Sequence, residues 1–234
     1  MLVSGAHKMA ILCAVLSVKP AMNSIDTIAD LEEGIYALRK AAPEFVKIHE
    51  ATGTPPLRRA EGGFAGLLRI IAGQQVSKAS AAAIWKRMCE VLAPLEPEHF
   101  ARLGETDYRS AGLSGPKIRA IEAVTEAVLA SELDFADLHS SSDENAAAKL
   151  MAVKGIGPWS AEIYLLACLG RPDIWPAGDL ALQVAAADID GEGERLSIAQ
   201  MQTIAEPWRP WRAVAARLLW SWYAQMRNTD PGVM

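Results

Sequence analysis

Two glycines bracket one aliphatic residue in the segment Leu150-Met-Ala-Val-Lys154-Gly155-Ile156-Gly157-Pro158-Trp159-Ser160-Ala161. Glycines permit a tight turn and the close approach of another backbone, and Pro158 suits the first turn of a following helix. The N–H groups around Gly155, Gly157 and that helix start would face outward and form an anion site, while Ile156 plugs the turn into the core. On the turn alone, a helix–turn–helix of no particular function is an equal reading. Twenty-four residues after Gly155 comes Asp179, in Ile174-Trp-Pro-Ala-Gly178-Asp179-Leu-Ala-Leu-Gln183. With glycine before it and an apolar helix after it, Asp179 reads as a helix N-cap. Trp159 on its own reads equally as a core tryptophan under the hairpin, and Gly73-Gln74-Gln75-Val76-Ser77 as a polar break between helices. The three cysteines, Cys13, Cys89 and Cys168, lie far apart. They argue against a disulfide framework, a structural zinc site and a four-cysteine iron–sulfur cluster.

The elements that must position these residues are helices. At 234 residues the chain is long enough for one large domain or two small lobes. With 51% hydrophobic and 22% charged residues it is not a disordered chain. Alanine supplies about one residue in six, whereas β-branched and aromatic residues are sparse, which favours packed helices over sheets. Three- and four-residue apolar spacing marks one face with Ile28, Leu31, Ile35 and Leu38, ending near Pro43, and another with Phe64, Leu67, Leu68 and Ile71, ending near Gly73. Further helices are predicted over 77–91 (Ile84, Met88 and Val91 inward), from a Ser114 cap and Pro116 through Ile118, Ile121, Val124 and Val128, and after a Ser141/Glu144 capping box. Others follow Gly157 and Asp179, and the last runs over about 210–226. No strand pairing is credible, so the fold is read as all-α.

Taken together, these segments resemble the helix-hairpin-helix DNA glycosylase superfamily (HhH-GPD), and the resemblance covers about residues 25–228. It implies that the hairpin, residues 143–170, binds a DNA phosphate through backbone amides, with Lys154, Gly155, Gly157 and Ser160 at the contact. A monovalent cation on the hairpin carbonyls often accompanies that motif; no catalytic metal and no cofactor are implied. Lys154 itself reads first as a solvated lysine. The Pro176-x-x-Asp179-x-x-Leu182-Gln183 setting is similar to that of the family's catalytic aspartate, which also begins a helix. Such a carboxylate suits N-glycosidic bond cleavage, because an anion about 4 Å from an oxocarbenium-like sugar contributes roughly 4 kcal/mol at an effective dielectric near 20. It can also position or deprotonate the attacking water. Ile70-x-x-Gly73-Gln74-Gln75-x-Ser77 resembles the segment whose Gln75 match fills the space left by an extruded base.

Bifunctional relatives carry a nucleophilic lysine two residues after the second hairpin glycine. Here Trp159 stands in that place and cannot form a Schiff base. The resemblance is therefore to the monofunctional alkylpurine branch, with Trp159, Ile163 and Trp220 in the base pocket. Ile163, with Tyr164 beside it, departs from the tyrosine some relatives have one turn after the pocket tryptophan, so the pocket is less aromatic. A ring there would stack on a flipped base. The expected partner is double-stranded DNA containing damaged bases, with 3-methyladenine the foremost lesion; same-fold action on oxidised or deaminated bases, or a non-catalytic DNA-binding module, are the alternatives. The formal net charge of −5 predicts no general attraction to nucleic acid, so Arg69, Lys78, Lys86, Arg87 and Lys117 are either local backbone contacts or solvated faces. Two lobes are expected, 64–170 with the hairpin and 25–63 plus 171–234 with Asp179. A 1–24 extension precedes them, with no β-rich domain in front. The apolar run Met9–Val18 is too short to span a bilayer and lacks a convincing cleavage site. A cytoplasmic monomer without membrane contact is the reading.

Overall fold

In the computed structural model, residues 24–191 and 194–228 are described, and the reading of the N-terminal extension up to residue 23, its apolar run included, lies outside them. Helices follow one another in chain order: α1 (Ile28–Ala41), α2 (Glu44–Thr52), α3 (Gly63–Gly73), α4 (Lys78–Val91), α5 (Pro97–Phe100), α6 (Glu105–Ser110) and α7 (Gly115–Leu129). They continue as α8 (Phe135–Ser140), α9 (Asp143–Ala152), α10 (Pro158–Ile163), α11 (Leu180–Asp190), α12 (Ile198–Ala205) and α13 (Arg212–Met226). No strand occurs among the described residues, and the fold is all-α. No described helix is long and apolar enough to cross a membrane.

The apolar stripes fold as their spacing predicts, with local differences. Leu31, Ile35 and Leu38 are buried, but Ile28, in the first turn of α1, is exposed. Likewise Ile84 and Met88 face the core while Val91, at the end of α4, does not. The cap of α9 is Ser142, whose hydroxyl accepts from the Asn145 N–H, one residue later than the capping box predicts. Ser114 stands at the N-cap of α7 but makes no side-chain capping bond, which leaves Pro116 to set the first turn. The helix after the hairpin changes pitch: Tyr164–Cys168 continue α10 as a π-helical turn, a local widening often found beside functional sites.

Two sets of helices pack around this segment. In one, α3 lies against α4, α7, α10 and the π-helical turn, and α9 packs on α10. In the other, α13 lies against α1, α2 and α11. The segment from the α2–α3 loop into the start of α3 is tied to the π-helical turn. The Ala60 N–H donates to the Ala167 carbonyl at 3.0 Å, and the Gly63 N–H donates to the Tyr164 hydroxyl at 2.8 Å. Trp208 is fully buried between Phe45 and Trp175 with its indole N–H on Glu44. Each such fully buried large apolar side chain contributes about 2 kcal/mol.

Candidate active site and nucleic-acid interface

Asp179 caps α11, as its flanking residues predict: its Oδ1 accepts from the N–H groups of Ala181 and Leu182, both at 3.0 Å. The tertiary structure adds two donors. The Trp220 indole N–H reaches the same Oδ1 at 3.1 Å, and the Trp159 indole N–H reaches Oδ2 at 2.9 Å. A carboxylate oxygen offers about two lone-pair directions. Three N–H groups converge on Oδ1, so the remaining acceptor capacity lies on Oδ2. That is the oxygen able to take a water or face a positive centre. Asp179, Trp159 and Trp220 are all half-buried. Behind them, Gln183 donates to the Ala177 carbonyl at 2.9 Å and Trp175 to the Met201 carbonyl at 2.9 Å, which fixes the loop leading into the cap.

The hairpin has the predicted shape. Lys154, Gly155 and Gly157 are exposed at its tip while Ile156 is buried beneath. The two glycines serve different ends. Gly155 has φ +93°, and a Cβ there would lie 2.5 Å from the Ala120 side chain, so it is needed inside the protein. Gly157, at the N-cap of α10, has nothing within 4 Å of its Cβ position. Its openness leaves room for an anion to approach the start of α10, as such a contact would require. The Val153 carbonyl accepts from the Ile156 N–H and the Gly155 carbonyl from Gln74, each keeping a second lone pair. Neutral carbonyl oxygens of this kind fit a monovalent cation.

Several sequence expectations are corrected. Ile163 is completely buried and offers no surface to a base pocket. It lies one turn beyond Trp159, but α10 runs inward, so its first turn faces the site and its second faces the core. Tyr164 is equally buried, its hydroxyl engaged by Gly63. Ser160 is 3% exposed and its hydroxyl accepts from the Gln74 side chain at 2.9 Å, so its side chain is engaged inside the protein rather than held out to a ligand. Lys117 is no surface cation: it is buried and donates to the Ala72 carbonyl at 2.7 Å, closing the C-terminal end of α3. Arg87 is tied to the Ala111 carbonyl.

Gln75 is exposed at φ +54°, a left-handed conformation at the apex of the loop between α3 and α4. Sequence reasoning missed what holds that loop. Gln74 Nε2 bridges to Ser160 Oγ and, at 3.3 Å, to the Gly155 carbonyl, tying the loop to the hairpin. It also missed Glu162 on α10, whose carboxyl is pushed up to about 7 by burial, with Arg212 opposing and Asp179 adding to the rise. Arg58, stacked over Trp220, was missed as well. No local pattern announces any of the three.

A family model described as HhH-GPD superfamily base excision DNA repair protein matches residues 68–211, more than half of the chain. The chain belongs to that superfamily. Among curated relatives, the alkylbase DNA glycosidase-like protein mag2 of Schizosaccharomyces pombe is 27% identical over 179 residues, 74% of this chain and 83% of that protein. The probable bifunctional transcriptional activator/DNA repair enzyme AlkA of Mycobacterium tuberculosis is 29% identical over 165 residues, and the match covers 66% of this chain but 32% of that protein. A solved DNA-3-methyladenine glycosidase from Bacillus halodurans superposes with a TM-score of 0.73 at 28% identity, covering 89% of this chain and 95% of that one. The fold is also that of Schizosaccharomyces pombe Mag1 in complex with abasic DNA, at TM-score 0.76 and 20% identity.

Proposed function

We propose that this protein is a monofunctional DNA glycosylase that hydrolyses the N-glycosidic bond of alkylated purines such as 3-methyladenine in double-stranded DNA and leaves an abasic site. The observation that carries this reading is the Asp179 carboxylate held between the Trp159 and Trp220 indoles. The relatives named as alkylbase and 3-methyladenine glycosidases support it. In this reading the α9–α10 hairpin grips a phosphate through main-chain N–H groups, aided by Lys154. A monovalent cation on the turn carbonyls would add positive charge beside that phosphate. Gln75 enters the duplex, and the extruded base meets Trp159 and Trp220.

Asp179 then faces the sugar. As the C1′–N bond breaks, the electron pair leaves with the base and positive charge collects on the sugar. The carboxylate stabilises that charge and orients a water through Oδ2. The cleft lies between lobe 64–170 and lobe 25–63 plus 171–234, and the enzyme acts as a cytoplasmic monomer on chromosomal DNA. The test is incubation with methylated DNA and mass analysis of the small-molecule fraction. Free 3-methyladenine is expected; binding without release of any base marks a non-catalytic module and overturns the proposal.

A further inference from the structure

Arg58 lies in the loop before α3 with φ +53°, a backbone conformation that non-glycine residues seldom adopt. Only 7% of it is exposed, and its guanidinium carbon stands 5.0 Å from the centroid of the Trp220 ring. The same indole donates its N–H to Asp179. Below it, Arg217 is fully buried and gives its N–H groups to the carbonyls of Leu57, Ala213 and Leu166. Burial, then Arg58 and Arg59, push the Arg217 guanidinium down to about 9. Arg59 turns away to Asp26 and the Ala167 carbonyl. The site therefore has a negative end at Asp179 and a positive wall at Trp220.

We infer that Arg58, acting across Trp220, is a specificity-determining residue that favours departure of purine lesions carrying no positive charge. The inference rests on the glycosylase reading and on Trp220 facing the base. When the C1′–N bond breaks, its electron pair passes to the base, and water adds its oxygen to C1′ and releases one proton. The base thus becomes more negative by one charge whatever the lesion. A cationic alkylated purine goes from +1 to neutral, whereas a deaminated purine goes from neutral to −1. A guanidinium on the far side of the ring from the base repels the bound cationic lesion but interacts little with its neutral leaving group. With a neutral lesion it does the reverse, stabilising only the anion that forms. Arg58 consequently raises the chemical rate for both, weakens binding of the cationic one, and lifts the overall efficiency for the neutral one alone.

Single-turnover excision from duplexes containing 7-methylguanine (cationic) or hypoxanthine (neutral), with affinities measured alongside, tests this on the full chain. Arg58→Gln should lower rate over Kd for hypoxanthine about tenfold. For 7-methylguanine the quotient should stay within about twofold, with a slower rate offset by tighter binding. Arg58→Lys should restore the hypoxanthine value. Should Arg58→Gln fail to fold, Arg58→Gly, which accepts the positive φ, should show the same selectivity. Equal losses on both lesions, or no change in their ratio, overturn the inference, as does a wild-type protein that releases 7-methylguanine but no hypoxanthine. A wild-type protein that releases neither of these, nor 3-methyladenine from methylated DNA, overturns the glycosylase reading itself.

Discussion

Replacing Asp179 by Asn removes one negative charge and little else, and the four donors around the carboxylate allow its consequences to be worked out. Asparagine caps helices as well as aspartate. Its amide oxygen can stay in the Oδ1 position and keep the Ala181, Leu182 and Trp220 N–H groups. The amide nitrogen then stands at Oδ2 and meets the Trp159 N–H, donor against donor. That mismatch costs about 1–3 kcal/mol, or a fall in melting temperature of roughly 2–12 °C for a chain of this size. Catalysis should suffer more. A carboxylate about 4 Å from the sugar cation contributes on the order of 4 kcal/mol at an effective dielectric near 20, so excision of 3-methyladenine should fall by roughly a hundred- to a thousandfold. The assay is single-turnover release of free base, with affinity for abasic-site DNA measured on the same preparation and expected to persist. Excision at the wild-type rate by a folded Asp179→Asn protein would mean that Asp179 is a cap and nothing more. Asp179→Ser, which keeps a capping oxygen and brings no donor to the Trp159 N–H, serves if the asparagine variant unfolds.

The two hairpin glycines should separate binding from folding. Gly157→Asp, with open space at its Cβ, should fold normally yet lose about tenfold or more in affinity for abasic-site DNA by setting a negative charge toward phosphate, whereas Gly155→Ala should lower the melting temperature by meeting Ala120. Unchanged affinity in Gly157→Asp sinks the hairpin contact. Borohydride added to a mixture with abasic DNA should trap no covalent complex, because Trp159 occupies the lysine position; a trapped adduct mapped to a lysine would reveal lyase chemistry. Burial raises the Glu162 carboxyl from its ordinary 4.5 to about 7, so between those values the folded protein keeps a proton that the unfolded chain releases. Stability should therefore fall as pH rises through that window. Glu162→Gln should flatten the dependence and gain on the order of 1–3 kcal/mol at pH 8, as read from melting curves at pH 4.5–8.

What the sequence determined by itself is what short-range chemistry writes. The helix stripes of α1, α3, α4 and α7 follow from three- and four-residue spacing. The hairpin follows from two glycines and a proline, and the cap at Asp179 from its immediate neighbours. Each depends on residues a few positions apart, so each is legible without a fold. The tertiary structure alone decided which side chains meet. Trp159 and Trp220 reach Asp179 from 20 residues before and 41 residues after it, and no local pattern encodes that convergence. It also decided how deep a residue lies: α10 runs inward, so Trp159 borders the site while Ile163, on the same helical face, is core. Lys117 and Ser160, both polar and read as surface groups, are buried because α7 and α10 pack on α3, whose Ala72 carbonyl and neighbouring Gln74 supply their hydrogen bonds. Arg58 reaches Trp220 only because the loop before α3 is held against α13, where Arg217 donates to the Leu57 carbonyl. A polar side chain enters the interior when a partner awaits it there, and the fold, not the neighbouring sequence, supplies that partner.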